Sequence, residues 1–229
     1  MFLLDFLFPK RCFVCKRLGK YICSNCAKKF YLSKYDICIY CNKPSYLGLT
    51  HYKCIRKYGV DGFIFLYKYN NYLKTTIKTL KYRLVENGFT ELMVIAKDPV
   101  HTKLSPLITI FNKPLVLSPI PLSKNRINQR GFNQSKIIAN HISQQLGLAS
   151  KDYLLRNKNT KPQAQIKSKI LRYKNIRSAF EIKKGFSVEK TNIILVDDVV
   201  TTGSTVKESC RVLKRNKALK VFVFALAKG

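Results

Sequence analysis

The sequence has few acidic residues for its length. It carries 12 Asp and Glu against 43 Lys and Arg among 229 residues, which gives a formal net charge of +31 at pH 7. This excess goes beyond what solubility requires and favours a polyanionic partner, either nucleic acid or an anionic membrane surface. An AT-rich coding sequence would explain the preference for Lys over Arg, but it would not explain why acidic residues are so scarce.

Long apolar runs and long low-complexity tracts are also absent. No apolar run approaches the roughly 20 residues of a membrane-spanning helix, so no membrane span is predicted. Residues 1–8 are apolar apart from Asp5, but they lack a basic region and a cleavage site and are followed by Pro9, so we do not predict a signal peptide. We expect a cytoplasmic globular protein with one ordinary domain and a small additional module.

Cysteine is concentrated near the start of the chain, where seven of the eight cysteines lie before residue 55. With one histidine they form four pairs of the same spacing: Cys12 and Cys15, Cys23 and Cys26, Cys38 and Cys41, and His51 and Cys54. Two tetrahedral zinc sites need eight ligands, so we predict one or two zinc ions. The pairs could combine by chain adjacency, giving one all-cysteine site and one site of three cysteines and a histidine, or they could interleave. A disulfide framework is the alternative, but no secretory signal supports it.

The cysteine-rich region is also basic and rich in tyrosine. Residues 10–57 contain twelve Lys and Arg and one acidic residue, Asp36. Basic groups that contact phosphates and aromatic faces that stack on unpaired bases are typical of single-strand binding. The alternative is that the tyrosines pack against the zinc turns. Six tyrosines are concerned: Tyr21, Tyr31, Tyr35, Tyr40, Tyr46 and Tyr52.

The stretch 193–205, IILVDDVVTTGST, predicts a buried strand, two carboxylates and a small-residue turn that opens a helix. Asp197 and Asp198 suit ribose hydroxyls, because ionised carboxylates only accept hydrogen bonds. The turn offers backbone N–H groups, hydroxyls and a flexible glycine to a phosphate at a helix N-terminus. Its residues are Thr201, Thr202, Gly203, Ser204 and Thr205. The spacing of a Walker loop and a dinucleotide fingerprint are both absent. Cys210, at helical spacing, is predicted as a core residue.

The middle of the chain predicts further parts of an α/β sheet. Alternating aromatic and aliphatic residues predict a strand over 63–69, and helical spacing follows over 72–84. A second buried strand is predicted over 115–120, with ligands expected at its carboxyl end. Just beyond it, Arg126 and Arg130 are four residues apart, so they would share a helix face and could clamp a pyrophosphate. A solvated basic face is the alternative.

Two resemblances follow from these motifs. VDDVVTTGST resembles the motif with which type I phosphoribosyltransferases bind 5-phosphoribosyl-1-pyrophosphate (PRPP). PIPLSKNRINQRGFNQS, over 119–135, resembles a segment of the ComF family of competence proteins. The Cys-x2-Cys pairs also match that family, although the family usually has cysteine at the position of His51. The remaining matches are Leu80, Lys81, Tyr82 and Arg83, residues 161–165, and Arg172, Asn175, Ala179 and Phe180.

The resemblance implies a fold and a set of ligands. The fold would be a type I phosphoribosyltransferase-like α/β domain over 59–229, a parallel sheet with helices on both faces, beside a zinc-binding module over 1–58. PRPP with Mg2+ would lie on Asp197, Asp198 and the 201–205 loop. Lys124, Arg126 or Arg130 would neutralise its pyrophosphate, and a loop at about 155–178 would close over it or contact DNA.

The implied function is to receive or pull in transforming single-stranded DNA, with a helicase or recombination mediator as partner. The alternative is an active phosphoribosyltransferase, whose acceptor is unknown because the sequence shows no segment for nucleobase recognition. A zinc-dependent scaffold with a vestigial site is a third interpretation. Both acids and the whole Thr/Gly loop are present, which argues against loss of the binding function.

Overall fold

A computed structural model describes residues 9–82, 86–111, 114–158 and 168–229. Three stretches for which the sequence carries predictions lie outside the described residues. They are 1–8, 83–84 at the end of the predicted helix, and 159–167 of the predicted closing loop, which includes the matched residues 161–165. The side chain of Arg172 also lies outside them. Among the described residues, no helix combines the length and the hydropathy that crossing a membrane requires.

The described strands form one parallel sheet and two small antiparallel pairs. The strands are β1 Asp36–Ile37, β2 Pro44–Ser45, β3 Gly62–Lys68, β4 Leu115–Pro119, β5 Ala149–Ser150, β6 Leu154–Arg156, β7 Phe180–Ile182, β8 Asn192–Val200 and β9 Val221–Lys228. The parallel sheet has five strands in the order β3-β9-β8-β4-β5. β1 pairs with β2, and β6 pairs with β7. The predicted parallel sheet is therefore confirmed.

Helices cover both faces of this sheet. They are α1 Ser24–Ala27, α2 Asn71–Tyr82, α3 Glu86–Ile95, α4 Lys97–Ile110, α5 Lys124–Arg130, α6 Gln134–Leu146, α7 Lys169–Ile176 and α8 Ser204–Arg215. Alternate residues of β8 face opposite ways, with Ile194 in a core that includes α2, α3, α4 and α6, and Ile193 in a core that includes α7 and α8. The four-residue apolar run of β8 is buried because both sides of the sheet are covered.

The cysteine-rich segment packs into these same two cores. Phe13, Ile22 and Phe30 belong to the core with α2, and Ile37 and Ile39 belong to the core with α8. The backbone of 31–33 also runs antiparallel along β3, where two hydrogen bonds of 2.7 and 2.9 Å join the segments. A module too small for a core of its own thus shares that of the sheet. The domain boundary after residue 58 remains a prediction, and apolar contacts cross it.

The β6–β7 pair brackets the basic segment expected to close over a ligand. β6 ends at Arg156, β7 begins at Phe180, and α7 lies between them. Ile176 of α7 is buried against the core of α8. The backbone N–H of Ser178 donates to the buried carboxylate of Glu208 on α8 at 2.7 Å. These contacts anchor the described C-terminal part of the segment to α8.

Candidate functional site

A cavity of about 400 Å³ opens at the carboxyl end of β8. This is the edge of a parallel sheet where ligands bind in α/β proteins. Its charged lining is basic in excess, with Lys74, Lys78, Lys81, Arg126, Arg130 and Arg156 set against Asp197 and Asp198. The cavity therefore suits an anionic ligand that also offers hydroxyl groups to two carboxylates.

The 201–205 loop joins β8 to the N-terminus of α8. Gly203 caps the helix with φ of 74°, a left-handed conformation that glycine adopts without strain. The hydroxyls of Thr202 and Ser204 lie 2.9 Å apart, and Thr201 and Thr205 line the cavity. The helix N-terminus brings N–H groups without intrahelical partners and partial positive charge to this loop. The predicted strand, turn and helix thus occur in the predicted order.

Asp197 and Asp198 occupy different environments although they are adjacent. Asp197 accepts hydrogen bonds from the Ser135 hydroxyl at 3.1 Å and from the Asp198 backbone N–H at 3.0 Å. Burial, and then the neighbouring charge of Asp198, raises the pKa of Asp197 to about 7. Asp198 forms an ion pair with Lys81 and accepts from the Val199 N–H at 2.8 Å. A ligand that supplies donors or a cation here would relieve the repulsion between the two acids.

Arg126 and Arg130 both reach the cavity from α5, the helix that follows β4. They are four residues apart on this helix, and from that spacing the sequence predicts that they share one helix face. Arg130 also donates from Nη1 to Gln134 Oε1 at 3.2 Å. Lys124 is the first residue of α5; its side chain is exposed and lies outside the cavity lining. Its role toward a pyrophosphate remains a prediction.

Sequence reasoning did not assign Arg156 to the site. This residue ends β6, is 5% exposed, and places its guanidinium 5.4 Å from the ring centre of Phe180. Burial, and then the charge of Arg126, lowers the pKa of Arg156 to about 10. A buried arginine beside another arginine requires a nearby anion, and Asp197 supplies part of that charge. Nothing in the short sequence Leu154–Arg156 indicates that the side chain of Arg156 lines a cavity.

The lysines of α2 form another wall of the cavity. In the sequence, the predicted helix over 72–84 carries Lys74, Lys78, Lys81 and Arg83, either as a polar face or as a nucleic-acid contact. Arg83 lies outside the described residues, and the three lysines line the cavity, where Lys81 forms the ion pair with Asp198. α2 follows β3 and α5 follows β4, and these strands lie on opposite sides of β8. Basic groups therefore reach the cavity from two sides of β8.

The structure groups the predicted metal ligands by chain adjacency. The first cluster consists of Cys12, Cys15, Cys23 and Cys26, and the second of Cys38, Cys41, His51 and Cys54. Within each cluster the ligand atoms lie within 4.8 Å of one another. Zinc with Zn–S bonds of about 2.3 Å places tetrahedral sulfurs about 3.8 Å apart. The Cys15–Cys23 sulfur distance of 3.6 Å fits that geometry. None of the eight cysteines forms a disulfide bond in the structure, which argues against the disulfide alternative.

His51 has the orientation of a metal ligand. Its Nδ1 lies 3.2 Å from Cys41 Sγ, and its Nε2 lies 3.1 Å from the backbone oxygen of Pro44. A ligating histidine usually donates its other ring N–H to a carbonyl or carboxylate, which fixes its tautomer. The two contacts of His51 match this arrangement.

The six tyrosines divide between the two interpretations offered for them. Tyr21 stacks on Phe13 with ring centres 5.2 Å apart, and Tyr40 packs against the core with α8. Tyr46 and Tyr52 are 79% and 90% exposed. Tyr31 and Tyr35 are also exposed. Four of the rings are therefore exposed, and the two most exposed lie in the second half of the cysteine-rich segment. Their stacking on bases remains a prediction.

Comparison with protein families agrees with both parts of the structure. Residues 3–55 match the double zinc ribbon domain, and residues 133–229 match the phosphoribosyl transferase domain. Among solved structures, a hypoxanthine phosphoribosyltransferase from Staphylococcus aureus aligns with 58% of this chain and 62% of its own, at 15% identity and a TM-score of 0.38. The fold and the site define a phosphoribosyltransferase-type α/β domain that carries an N-terminal zinc ribbon.

Curated relatives match over nearly the whole chain. Competence protein ComFC of Bacillus subtilis is 30% identical over 216 residues, covering 91% of this chain and 84% of the relative. The DNA utilization protein YhgH of Salmonella typhimurium is 28% identical over 96% of this chain and 97% of the relative. Competence protein F of Haemophilus influenzae is 25% identical over 91% and 90%. The chain belongs to the ComF family of competence and DNA utilization proteins.

Proposed function

We propose that this protein binds single-stranded DNA during natural transformation and holds PRPP with Mg2+ in the β8 cavity. The observation that carries the proposal is the convergence of Asp197, Asp198, the 201–205 loop and basic groups from α2 and α5 at one edge of the sheet. The cytoplasmic location and a helicase or recombination mediator as partner remain predictions.

The cavity offers a separate group to each part of PRPP. The 201–205 loop, with its hydroxyls and the N-terminus of α8, suits the 5-phosphate. Asp197 and Asp198 suit the ribose hydroxyls, and Arg126 and Arg130 suit the pyrophosphate, which arginine binds through paired N–H groups. Mg2+ would supply further positive charge for the pyrophosphate, and the carboxylates of Asp197 and Asp198 offer the oxygen ligands that this ion prefers.

Calorimetry with PRPP and Mg2+ tests the cavity. We expect saturable binding to the wild type and a loss of at least about tenfold in affinity for Asp197→Asn combined with Asp198→Asn, because hydrogen bonds to charged groups are lost. Asp152→Asn is the matched control, since Asp152 forms an exposed ion pair with Lys136. Absence of binding to the wild type, or equal binding to the double variant, would contradict a PRPP site here.

Exposed rings among basic groups support binding of single strands. Tyr46 and Tyr52 are the most exposed of the large apolar and aromatic side chains among the described residues, and Lys43, Lys53 and Arg56 are close to them in sequence. Basic groups bind the phosphates of any sequence, whereas flat rings stack on bases that are free of a partner strand. This combination favours single-stranded over double-stranded DNA.

A pair of ring substitutions tests this interface. Replacing Tyr46 and Tyr52 by Ala should weaken binding of an oligothymidylate by about tenfold or more, because each stacked base contributes about 1–3 kcal/mol. Replacing both by Phe should preserve affinity, since the ring remains. Fluorescence anisotropy at fixed salt measures both variants. Equal loss in the two variants would place the contact outside the rings.

The alternative function is an active phosphoribosyltransferase acting on an acceptor not yet identified. The observation that favours it is the basic lining of the cavity, because transfer from PRPP relies on positioning and on stabilising the leaving pyrophosphate. Release of pyrophosphate from PRPP, dependent on an added nucleobase or nucleotide and lost in Arg126→Ala, would support turnover.

A further inference from the structure

The second cluster of metal ligands lies directly behind the 201–205 loop. Ile39, which stands between the ligands Cys38 and Cys41, is 4% exposed and faces Gly203. A methyl group added at Gly203 would meet Ile39 Cδ1 at 3.4 Å and Cγ1 at 3.5 Å. The side chain therefore fills the space beneath the one residue of the loop that has left-handed backbone geometry.

Tyr40 is the next residue of the turn 38–41, one of the turns between paired ligands that we call knuckles, and it contacts the first turn of α8. Lys207 Nζ lies 4.8 Å from the centre of the Tyr40 ring, within the range of a cation–π interaction. The same Nζ donates to the backbone oxygen of Thr202 at 3.5 Å. The Tyr40 hydroxyl accepts from the N–H of Val60 at 2.9 Å, which ties the ring to the segment just before β3. The knuckle thus supports both the loop and the helix that follows it.

The first cluster has a different environment. Cys12, Cys23 and Cys26 pack with one another and with Val14. The neighbouring Phe13 and Ile22 pack into the core with α2, on the face of the sheet away from α8. The two clusters are thus attached to opposite faces of the sheet, and it is the second whose residues contact the loop.

We propose that metal binding at the second cluster positions the 201–205 loop for its phosphate ligand, with Ile39 and Tyr40 as positioning residues. The inference rests on the proposed function of that loop. Loss of the metal would release Ile39 and Tyr40 from Gly203 and Lys207. The affinity of the loop for a phosphate would then fall, while the sheet and the first cluster would remain intact.

The second cluster should depend on its metal for its shape, because the elements that connect its ligands are short. The second cluster is connected by strands of two residues and by single 3-10 turns, so ligation supplies much of the energy that fixes its shape. Ile39 and Tyr40 are held at both ends by ligands. Because coupling between two sites is reciprocal, a phosphate on the loop should in turn strengthen metal binding at the second cluster.

The first test measures ligand affinity with all eight metal ligands intact. In the full-length protein, Ile39→Ala should bind ribose 5-phosphate about 5–20-fold more weakly than the wild type, within the range of typical coupling between sites. Its zinc content, measured by atomic emission, should equal that of the wild type. Val14→Ala, in the corresponding knuckle of the first cluster, is the matched control and should bind as the wild type does.

The second test measures metal retention, first in the wild type, where the result does not depend on a variant, and then in two cysteine variants. Ribose 5-phosphate needs no Mg2+, so zinc release to a chromogenic chelator can be followed with and without it. We expect slower release of one of two zinc ions when the sugar phosphate is present, and loss of that slowing in Cys54→Ser but not in Cys15→Ser. Two results would overturn the proposal. One is zinc release from the wild type at the same rate with and without the sugar phosphate, and the other is slowing that persists in Cys54→Ser.

The two proposals fail in different ways. If the wild type binds neither PRPP with Mg2+ nor ribose 5-phosphate, the proposed function of the loop is wrong. If the wild type binds them and Ile39→Ala binds equally well with full zinc content, the loop binds phosphate but the second cluster does not position it.

Discussion

Two adjacent carboxylates that are partly or fully buried lower the stability of a fold, and β8 carries such a pair in Asp197 and Asp198. Asp197 keeps a raised pKa of about 7, and Asp198 is compensated by Lys81. Such residues destabilise the unliganded fold in order to be ready for a ligand, as is common at functional sites. The cost of the pair supports the binding role that we propose for it.

Replacing Asp197 by Asn should stabilise the protein above neutral pH. An acid whose pKa is raised on folding stabilises the fold less as pH rises from its unfolded value of 3.8 to its folded value of about 7. Between about pH 5 and pH 8 the free energy of unfolding of the wild type should fall by about 1–2 kcal/mol relative to Asp197→Asn, after allowance for partial contact with solvent.

Urea unfolding at the two pH values measures the difference. Asp152→Asn serves as the control, because its exposed carboxylate is paired with Lys136 on the surface. A gap between wild type and Asp197→Asn that does not change with pH would show that the pKa of Asp197 is not raised.

At the scale of elements, one glycine allows the second half of the zinc ribbon to pack closely against β3. Gly48 has φ of 66°, and a methyl group there would lie 2.0 Å from the backbone oxygen of Phe63. No side chain fits this distance, so the 3-10 turn at Tyr46–Gly48 can approach β3 only with glycine. This contact sets the position of the ribbon against the sheet.

Gly48→Ala should therefore destabilise the protein by more than about 3 kcal/mol, whereas Gly147→Ala should cost about 1 kcal/mol. Gly147 has the same φ of 66° but open space around it, so the difference isolates the clash with β3. Chemical denaturation of both variants measures it. Loss of soluble folded Gly48→Ala alone agrees with this expectation, and equal costs would contradict it.

The sequence predicted those elements whose signal is local. An apolar run located β8, helical spacing located α8, and the regular spacing of cysteines located the ligand pairs. Each of these signals depends on residues close in the chain. The helix predicted over 72–84 corresponds to α2 up to Tyr82, and 83–84 lie outside the described residues. The cavity role of Arg156 and the contact of Ile39 with Gly203 depend on chain segments far apart in sequence, and no local pattern marks such contacts.

At the scale of the whole molecule, a net charge of +31 acts together with particular contacts. The 10–57 segment has twelve basic residues and one acid, Asp36, which pairs with Lys103 at 2.8 Å. The basic residues of the segment are therefore not neutralised by its own acid and can serve a polyanion. Charge of this kind supplies affinity without sequence preference.

Salt should accordingly weaken single-strand binding with a slope that counts phosphate contacts. The logarithm of affinity should fall linearly with the logarithm of salt concentration, with a slope of about −0.7 for each neutralised phosphate. Lys53→Gln should reduce the slope by about 0.7, whereas Ala at Tyr46 and Tyr52 should shift the line without changing its slope. A slope near zero in the wild type would exclude electrostatic binding of the strand.

The position of β9 between β3 and β8 has a consequence for synthesis on the ribosome. β3 ends at Lys68 and β9 begins at Val221, so the parallel partner of β3 emerges about 150 residues later. At translation rates of roughly 5–20 residues per second this delay lasts roughly 8–30 s. During that time the apolar sequence Phe-Ile-Phe-Leu-Tyr of β3 has an open edge, which is a hazard for aggregation. The nascent chain should therefore depend on chaperones until β9 is made. Expression at low temperature should improve its yield, because cooling weakens the hydrophobic association of the exposed strand.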